Sequence, residues 1–359
     1  MTGHLEKIMS EPYVYRGAIY RNNEQLRAWH ALAEPEEVID PALPIIDPHH
    51  HLWETPQRGR YLLHEFLGDL ASGHKITQTV FLECEAMYRA SGPEEMRPVG
   101  EVEFVRGMAA MSASGQYGPT KIGAGMVGFA ELTLGARIRE TLEAEIAAGG
   151  GILRGVRYCM SWDKHDEVVR HVVRYIPPGL LYDAKFREGF AQLAELGLSF
   201  DVWMYHTQLQ DIVDLARAFP QTTIIMNHVG GALGVGPYAG HRAEVFEVWR
   251  KNVLAVAECP NVRVKLGGLG MLHFGFDFHL QEKPPSSQAL ADAWRPYIDT
   301  CIAAFGPRRA MFESNFPPDK QSCSYLTLWN AFKRITAGAS ADEKAALFSG
   351  TAADTYRLT

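Results

Sequence analysis

The chain has 359 residues, of which 47% are hydrophobic and 21% charged, the proportions of an ordinary globular protein with apolar material for one large core. No run approaches the roughly 18 apolar residues that cross a bilayer. A net charge of -7 without any Lys/Arg block leaves nothing to neutralise phosphates, so membrane and nucleic acid are set aside and a small molecule is the expected partner, with homo-oligomer formation left open.

Residues 1–43 are polar and mixed in charge, with one helical pattern at "NNEQLRAWHALAE", and read as an N-terminal extension over a main domain at 44–359. The opening "MTGHLEKIMSEPYVYRG" lacks the basic-then-apolar layout of a secretion signal, so the cytoplasm is the expected location. Eight short apolar or β-branched runs follow: 44–51, 77–86, 121–132, 152–160, 198–205, 222–230, 262–270 and 308–317. Amphipathic helical patterns separate most of them, most clearly at 183–197, 208–220, 241–260 and 287–306. Strand alternating with helix eight times predicts an α/β fold of the (β/α)8 TIM-barrel kind. "SADE" at 340–343 predicts a capping box that opens a final helix packed outside the barrel. Two loops are long for their type, 52–76 and the aromatic 271–286, and the second reads as a lid.

Within "PIIDPHHHLWE" (44–54), strand alternation puts Asp47, His49 and His51 on one side and His50 on the other. Polar residues then recur where the later strands end: Glu83 and Glu85, Arg154 and Arg157, His206, His228, Lys265, Glu313 and Asn315. Each alone has a structural explanation as a paired core residue. Together on one rim they point to a functional site, because unpaired polar groups in a barrel interior are costly. Trp53 and Tyr205 fit either core packing or stacking on a planar substrate. His50, His64, His74, His165 and His241 read as surface or loop imidazoles. Five scattered cysteines without a C-x-x-C pair read as reduced thiols. No H-E-x-x-H, G-x-S-x-G or phosphate-loop signature occurs.

D-P-H-H-H-L-W on the first strand, N-H-V-G on the sixth, V-K-L-G-G on the seventh and M-F-E-S-N-F-P on the eighth resemble the amidohydrolase superfamily. Within it they are most similar to the branch containing 2-pyrone-4,6-dicarboxylate lactonase, sulfomuconolactone hydrolase and fuconolactonase. The likeness covers about 44–358. It implies catalytic roles for His49, His51 and His228, with Glu83 near the site, and it implies an aspartate on the eighth strand where this chain has Asn315. An amide cannot take a proton from water, so another carboxylate, Glu83 or Glu313 before Asp319, is expected to serve.

One divalent ion, Zn2+ held by His49, His51 and His228, and metal-free polarisation of a carbonyl by the same histidines both fit this pattern. The resemblance implies a hydrolase, most specifically a lactonase, or else an ester or amide hydrolase, on a small carboxylate-bearing substrate; the strand-end positions add Arg154, Arg157 and Lys265 to hold the carboxylate or oxyanion and His206, Trp53 and Tyr205 to line the site. A decarboxylase or hydratase, or an inactive binder that lost its base at 315, are the alternatives.

Overall fold

A computed structural model describes residues 20–169, 174 and 176–359; the first nineteen residues of the expected extension lie outside it. The barrel strands are β1 (Ile45–His50), β2 (Ile76–Leu82), β3 (Lys121–Gly128), β4 (Leu153–Cys159), β5 (Ser199–Trp203), β6 (Ile224–Met226), β7 (Val262–Leu266) and β8 (Ala310–Phe312). Each lies within a residue of its expected run. All pair in parallel and in chain order, and a single bridge, His50 to Phe316, closes the circle. Two backbone bonds reinforce that closure: His51 N–H donates to Phe316 O at 2.8 Å, and Asn315 N–H donates to His49 O at 2.9 Å. The result is a TIM barrel.

Alternation along the strands divides the core in two. Ile46, Val80, Leu82, Val127, Ile225 and Met311 fill the barrel interior. Their neighbours, such as Phe81, Val156, Phe200 and Val264, face the helices. The four clearest expected helices form as Ala184–Glu195, Leu209–Ala218, Arg242–Ala257 and Ser287–Phe305.

The C-terminus differs from expectation. Ser340 and Glu343 do form the capping box, but the chain continues into Thr351–Tyr356, whose Ala352 and Tyr356 join the interior cluster. This last helix plugs the barrel end opposite the site. Apolar side chains at 352 and 356, four apart on one helix face, drive that burial.

Neither long loop is featureless. The first contains a hairpin, Trp53–Thr55 with Gly59–Tyr61, and the helix Leu63–Leu70. In the second, His273, Phe274, Phe278 and His279 are buried, so the expected lid is packed in place. The described part of the extension lies against it: Trp29 Nε1 donates to Gln281 O at 2.9 Å, while Lys333 Nζ donates to the carbonyls of Ile39 and Asp40.

Candidate active site

Strand β1 does not keep the phase that simple alternation assumes. Its pairing with β2 slips between Asp47 and His50, where three steps on β1 match two on β2. Such an extra residue is a bulge, and Pro48, which has no N–H for the ladder, lies in it. His49 and His51 therefore share the inner face while Asp47 turns outward. The carboxylate of Asp47 accepts from Ser314 N–H (2.9 Å), Ser314 Oγ (2.6 Å) and the Tyr325 hydroxyl (2.9 Å). Burial pushes its pKa up to about 6 against those bonds. Asp47 is a clasp between the first and last strands and leaves the expected D-x-H-x-H unit. His50 points away from the pair as expected, but it is buried, stacked on Phe66 and bonded to Thr79 Oγ1 at 2.9 Å. His74 is buried too, so neither belongs to the surface.

On the inner face Glu313 joins two imidazoles. Its Oε1 lies 2.7 Å from His228 Nδ1 and its Oε2 lies 2.6 Å from His49 Nδ1. The first contact is a hydrogen bond. The second lacks hydrogen-bond geometry, and among the described residues Oε2 is a buried acceptor without a hydrogen-bond partner. Two bare lone pairs repel at 2.6 Å, so a proton or a cation belongs at this junction.

The next imidazole is also constrained. His51 Nδ1 lies 2.9 Å from Leu82 O, which assigns its proton there and leaves a lone pair on Nε2. That Nε2 is 3.2 Å from His49 Nε2. Burial, then Lys265, pushes His49 well below the usual imidazole range; burial, then Arg157, does the same to His51. His228 is lowered by burial while Glu313 opposes the shift. Neutral imidazoles beside a carboxylate are a donor set for a divalent ion. Among the described residues the group that converges is His49, His228 and Glu313, with donor atoms within 4.8 Å of one another, rather than the expected set with His51.

The V-K-L-G-G segment makes room for this centre. A Cβ at Gly267 would come within 2.5 Å of Glu313 Cγ, and one at Gly268 within 2.4 Å of His228 Nδ1. Gly268 also holds φ at +70°, a left-handed conformation that suits glycine.

A second group faces the same rim. Arg157 Nε donates to Glu83 Oε1 at 3.0 Å and its Nη2 to Glu83 O, while Nη1 lies 3.3 Å from His49 Nε2. Both side chains are nearly inaccessible. They line a cavity of about 100 Å³ together with His51, Trp53, Cys159 and Arg174. Trp53 stacks on His51 at 5.8 Å. Arg174 pairs with Glu85, and Arg58 donates to Cys84 O at 2.6 Å. A larger depression of about 430 Å³ at 307–354 lies on the outside, away from the polar rim.

Other expected residues fall elsewhere. Lys265 is fully buried beneath His49, paired with Asp201 at 2.9 Å and 3.5 Å from His49 Nδ1, so it supports the imidazole instead of lining the cavity. Arg154 is corrected outright: as the second residue of β4 it sits at the opposite end of the barrel, with Nη1 on Gly151 O and its carbonyl accepting from Arg357 Nη2. His206 packs on Tyr238, and Tyr205 on Trp203 and His273. Asn315 directs its nitrogen to Asp319 Oδ2 at 2.6 Å.

Reading the sequence missed Arg58, Arg174 and Asp201. Asp201 had a signal, as the one charge inside "LSFDVWMY", whereas the arginines are loop residues without periodicity.

A family model described as amidohydrolase matches residues 46–358. An uncharacterized protein, y4mH, from Sinorhizobium fredii (strain NBRC 101917 / NGR234) is 33% identical over 335 residues, 88% of this chain and 98% of its own. The L-fucono-1,5-lactonase of Burkholderia multivorans (strain ATCC 17616 / 249) is 27% identical over 177 residues, 49% of this chain and 57% of its own. Among solved structures, an amidohydrolase from Burkholderia multivorans with bound zinc superposes with a TM-score of 0.63 at 24% identity, covering 88% of this chain and 99% of that one, a likeness of fold.

Proposed function

Because the chain belongs to the amidohydrolase family, we propose that it is a hydrolase that opens a small lactone by attack of water on a carbonyl held at the rim of the barrel. The observation that carries this reading is the Glu313 carboxylate between His49 and His228, next to a cavity that Glu83 and His51 line. His49, His228 and Glu313 would hold a divalent ion, which when bound would polarise the carbonyl and acidify water.

The protein's own groups divide the remaining work. Glu83 takes the proton from the attacking water, since it lines the cavity, whereas Glu313 is fully buried with both oxygens against imidazoles and a base must reach its proton. Arg157, fixed by Glu83, stabilises the developing oxyanion through Nη1. Neutral His51 presents its Nε2 lone pair to a substrate hydroxyl or to water. The lactone bond is supported by the lactonase among the relatives and by a cavity sized for the reacting end of a small molecule. The cytoplasm remains its proposed location; among the described residues no helix is long and apolar enough to cross a membrane.

The test is turnover of a panel of small lactones, followed by proton release, beside CO2 release from aromatic acids. Proton release that Glu83→Gln reduces supports the hydrolase. CO2 release without lactone opening makes it a lyase. Binding with neither reaction makes it a binder.

A further inference from the structure

Three loops at the site end of the barrel are tied together by residues that precede the barrel. The described extension, 20–43, lies outside the stretch 46–358 that matches the family, so the likeness assigns it no role. Gln321 is buried in the turn that follows Pro318 and faces the backbone of residues 20 and 21. Its Oε1 accepts Tyr20 N–H at 3.2 Å and Arg21 N–H at 2.8 Å, and its Nε2 donates to Arg21 O at 3.1 Å. One side-chain amide thus pairs with both backbone groups of Arg21, as a neighbouring strand would, and a buried amide stripped of those partners is costly. Arg21 Nη1 in turn donates to His279 O at 2.5 Å in the loop after β7. Its guanidinium lies 4.3 Å over Trp29, whose Nε1 donates to Gln281 O in the same loop.

The helix Asn23–His30 carries the grip across the mouth. Leu26 and Trp29, three apart on one face, are its buried residues. At its start Asn23 Nδ2 donates to Arg60 O at 2.6 Å, and at its end His30 Nε2 donates to Lys320 O at 2.9 Å. Arg60 lies opposite Glu54 in the hairpin after β1, and Lys320 Nζ reaches Asp69 at 2.7 Å on the helix that follows that hairpin. Trp53 and Arg58 from the hairpin and Pro318 from the turn after β8 all line the cavity. The extension therefore joins two walls of the cavity that the barrel itself does not join.

We propose that residues 20–30 form a strap that sets the width of the cavity mouth, so that small substrates enter and bulky ones are excluded, with Gln321 and Asn23 as its specificity-determining anchors. This rests on reading the cavity as the substrate site, and it is tested without turnover, so a failed hydrolase assignment would leave it standing. Cys159 lines the same cavity and is partly exposed, which makes its thiol a gauge of access. Full-length protein is treated with a small maleimide or with a bulky, dye-bearing one, and the adduct at each cysteine is followed by mass spectrometry. Burial pushes the Cys159 thiol up to about 11, which slows both reagents alike, so the ratio of the two rates reports width.

In the wild type Cys159 is expected to take the small reagent and resist the bulky one. Gln321→Ala is expected to raise the bulky-to-small ratio by about tenfold, and Asn23→Ala by less, since it releases one bond instead of three. Gln321→Glu keeps both accepting bonds and is expected to stay near the wild type. Cys301, fully buried on the helix Ser287–Phe305, is expected to stay unlabelled throughout. An unchanged ratio in Gln321→Ala and Asn23→Ala would overturn the strap. So would a rise accompanied by labelling of Cys301, which marks general loosening, or a wild-type Cys159 that takes both reagents equally fast or neither. Should Gln321→Ala not fold, Asn23→Ala, at an exposed position, decides the matter.

Discussion

Two sides of one rim carry opposite kinds of polarity. Between β2 and β4, Glu83 and Arg157 satisfy each other through Nε and Nη2, a pair largely closed on itself. Between β1, β6 and β8, Glu313 meets two imidazoles and keeps a buried oxygen without a hydrogen bond. The contrast is between a carboxylate whose charge is already matched beside the cavity and one with an oxygen left for a cation or proton. A closed ion pair gives shape and a fixed field, whereas an acceptor left unspent at a cost of about 1–3 kcal/mol is retained where something is meant to bind.

Substitutions should expose that difference. Glu313→Gln removes the charge from the open side and is expected to lower kcat/KM on the substrate found by the lactone panel by ~10²–10³-fold, with zinc affinity falling in parallel; an effect under tenfold would leave the rate to Glu83 and Arg157 without the Glu313 centre. On the closed side the larger effect is on stability. Arg157→Met strands a buried carboxylate and is expected to cost about 3–5 kcal/mol in denaturant unfolding. Glu83→Leu combined with Arg157→Met is expected to cost less than Arg157→Met alone, because no charge is left stranded; simple additivity would show the pair is not closed.

Acid probes both sides together. Burial lowers His206 to about 4, His50 to about 3 and His74 to about 4, and it lowers His49 and His51 as well. Below the unfolded imidazole pKa of about 6.5 the unfolded chain binds these protons and the folded chain does not. The contribution of these rings is therefore full above about pH 6.5 and falls as the pH drops toward 4, by about 1.4 kcal/mol per pH unit for each ring, while Asp47 and Glu101, raised by burial, act in the opposite direction. A change in melting temperature between pH 7 and 5 that is the same in the wild type and in His50→Gln/His206→Gln would contradict the neutral, buried state of these rings. The smallest effect is predicted for Arg154→Ala, at the far end of β4: kcat/KM unchanged and stability within about 0.5 kcal/mol. A tenfold loss of activity would return Arg154 to the site.

Much of this arrangement was legible in the sequence, and the gaps have particular causes. Eight apolar runs with helices between them marked the barrel, because strand and helix periods differ. Alternation separated His49 and His51 from His50, but it could not see the slip at Pro48 that turns Asp47 outward. Alternation also assigns a face without assigning a depth. Arg154 and Arg157 lie three apart on one short strand, so alternation alone puts them on opposite faces, and the barrel's length further separates a residue at the strand's start from one near its end. Lys265 reads as a substrate ligand in the sequence because its partner, Asp201, is 64 positions away. Asn315 was noticed as an amide in place of a carboxylate, but its bond to Asp319 emerges only when the loop after β8 folds back.

On the proposed function, the Glu313-bridged imidazoles, and not the Arg157–Glu83 pair alone, make this barrel a hydrolase. Proton release from the small-lactone panel, measured with an indicator for the wild type and for His228→Ala, tests it most directly. At least one lactone is expected to be opened, and His228→Ala is expected to lower the rate at least a hundredfold while the protein stays folded. Lactone opening that survives His228→Ala, or no opening of any lactone by the wild type, would contradict it.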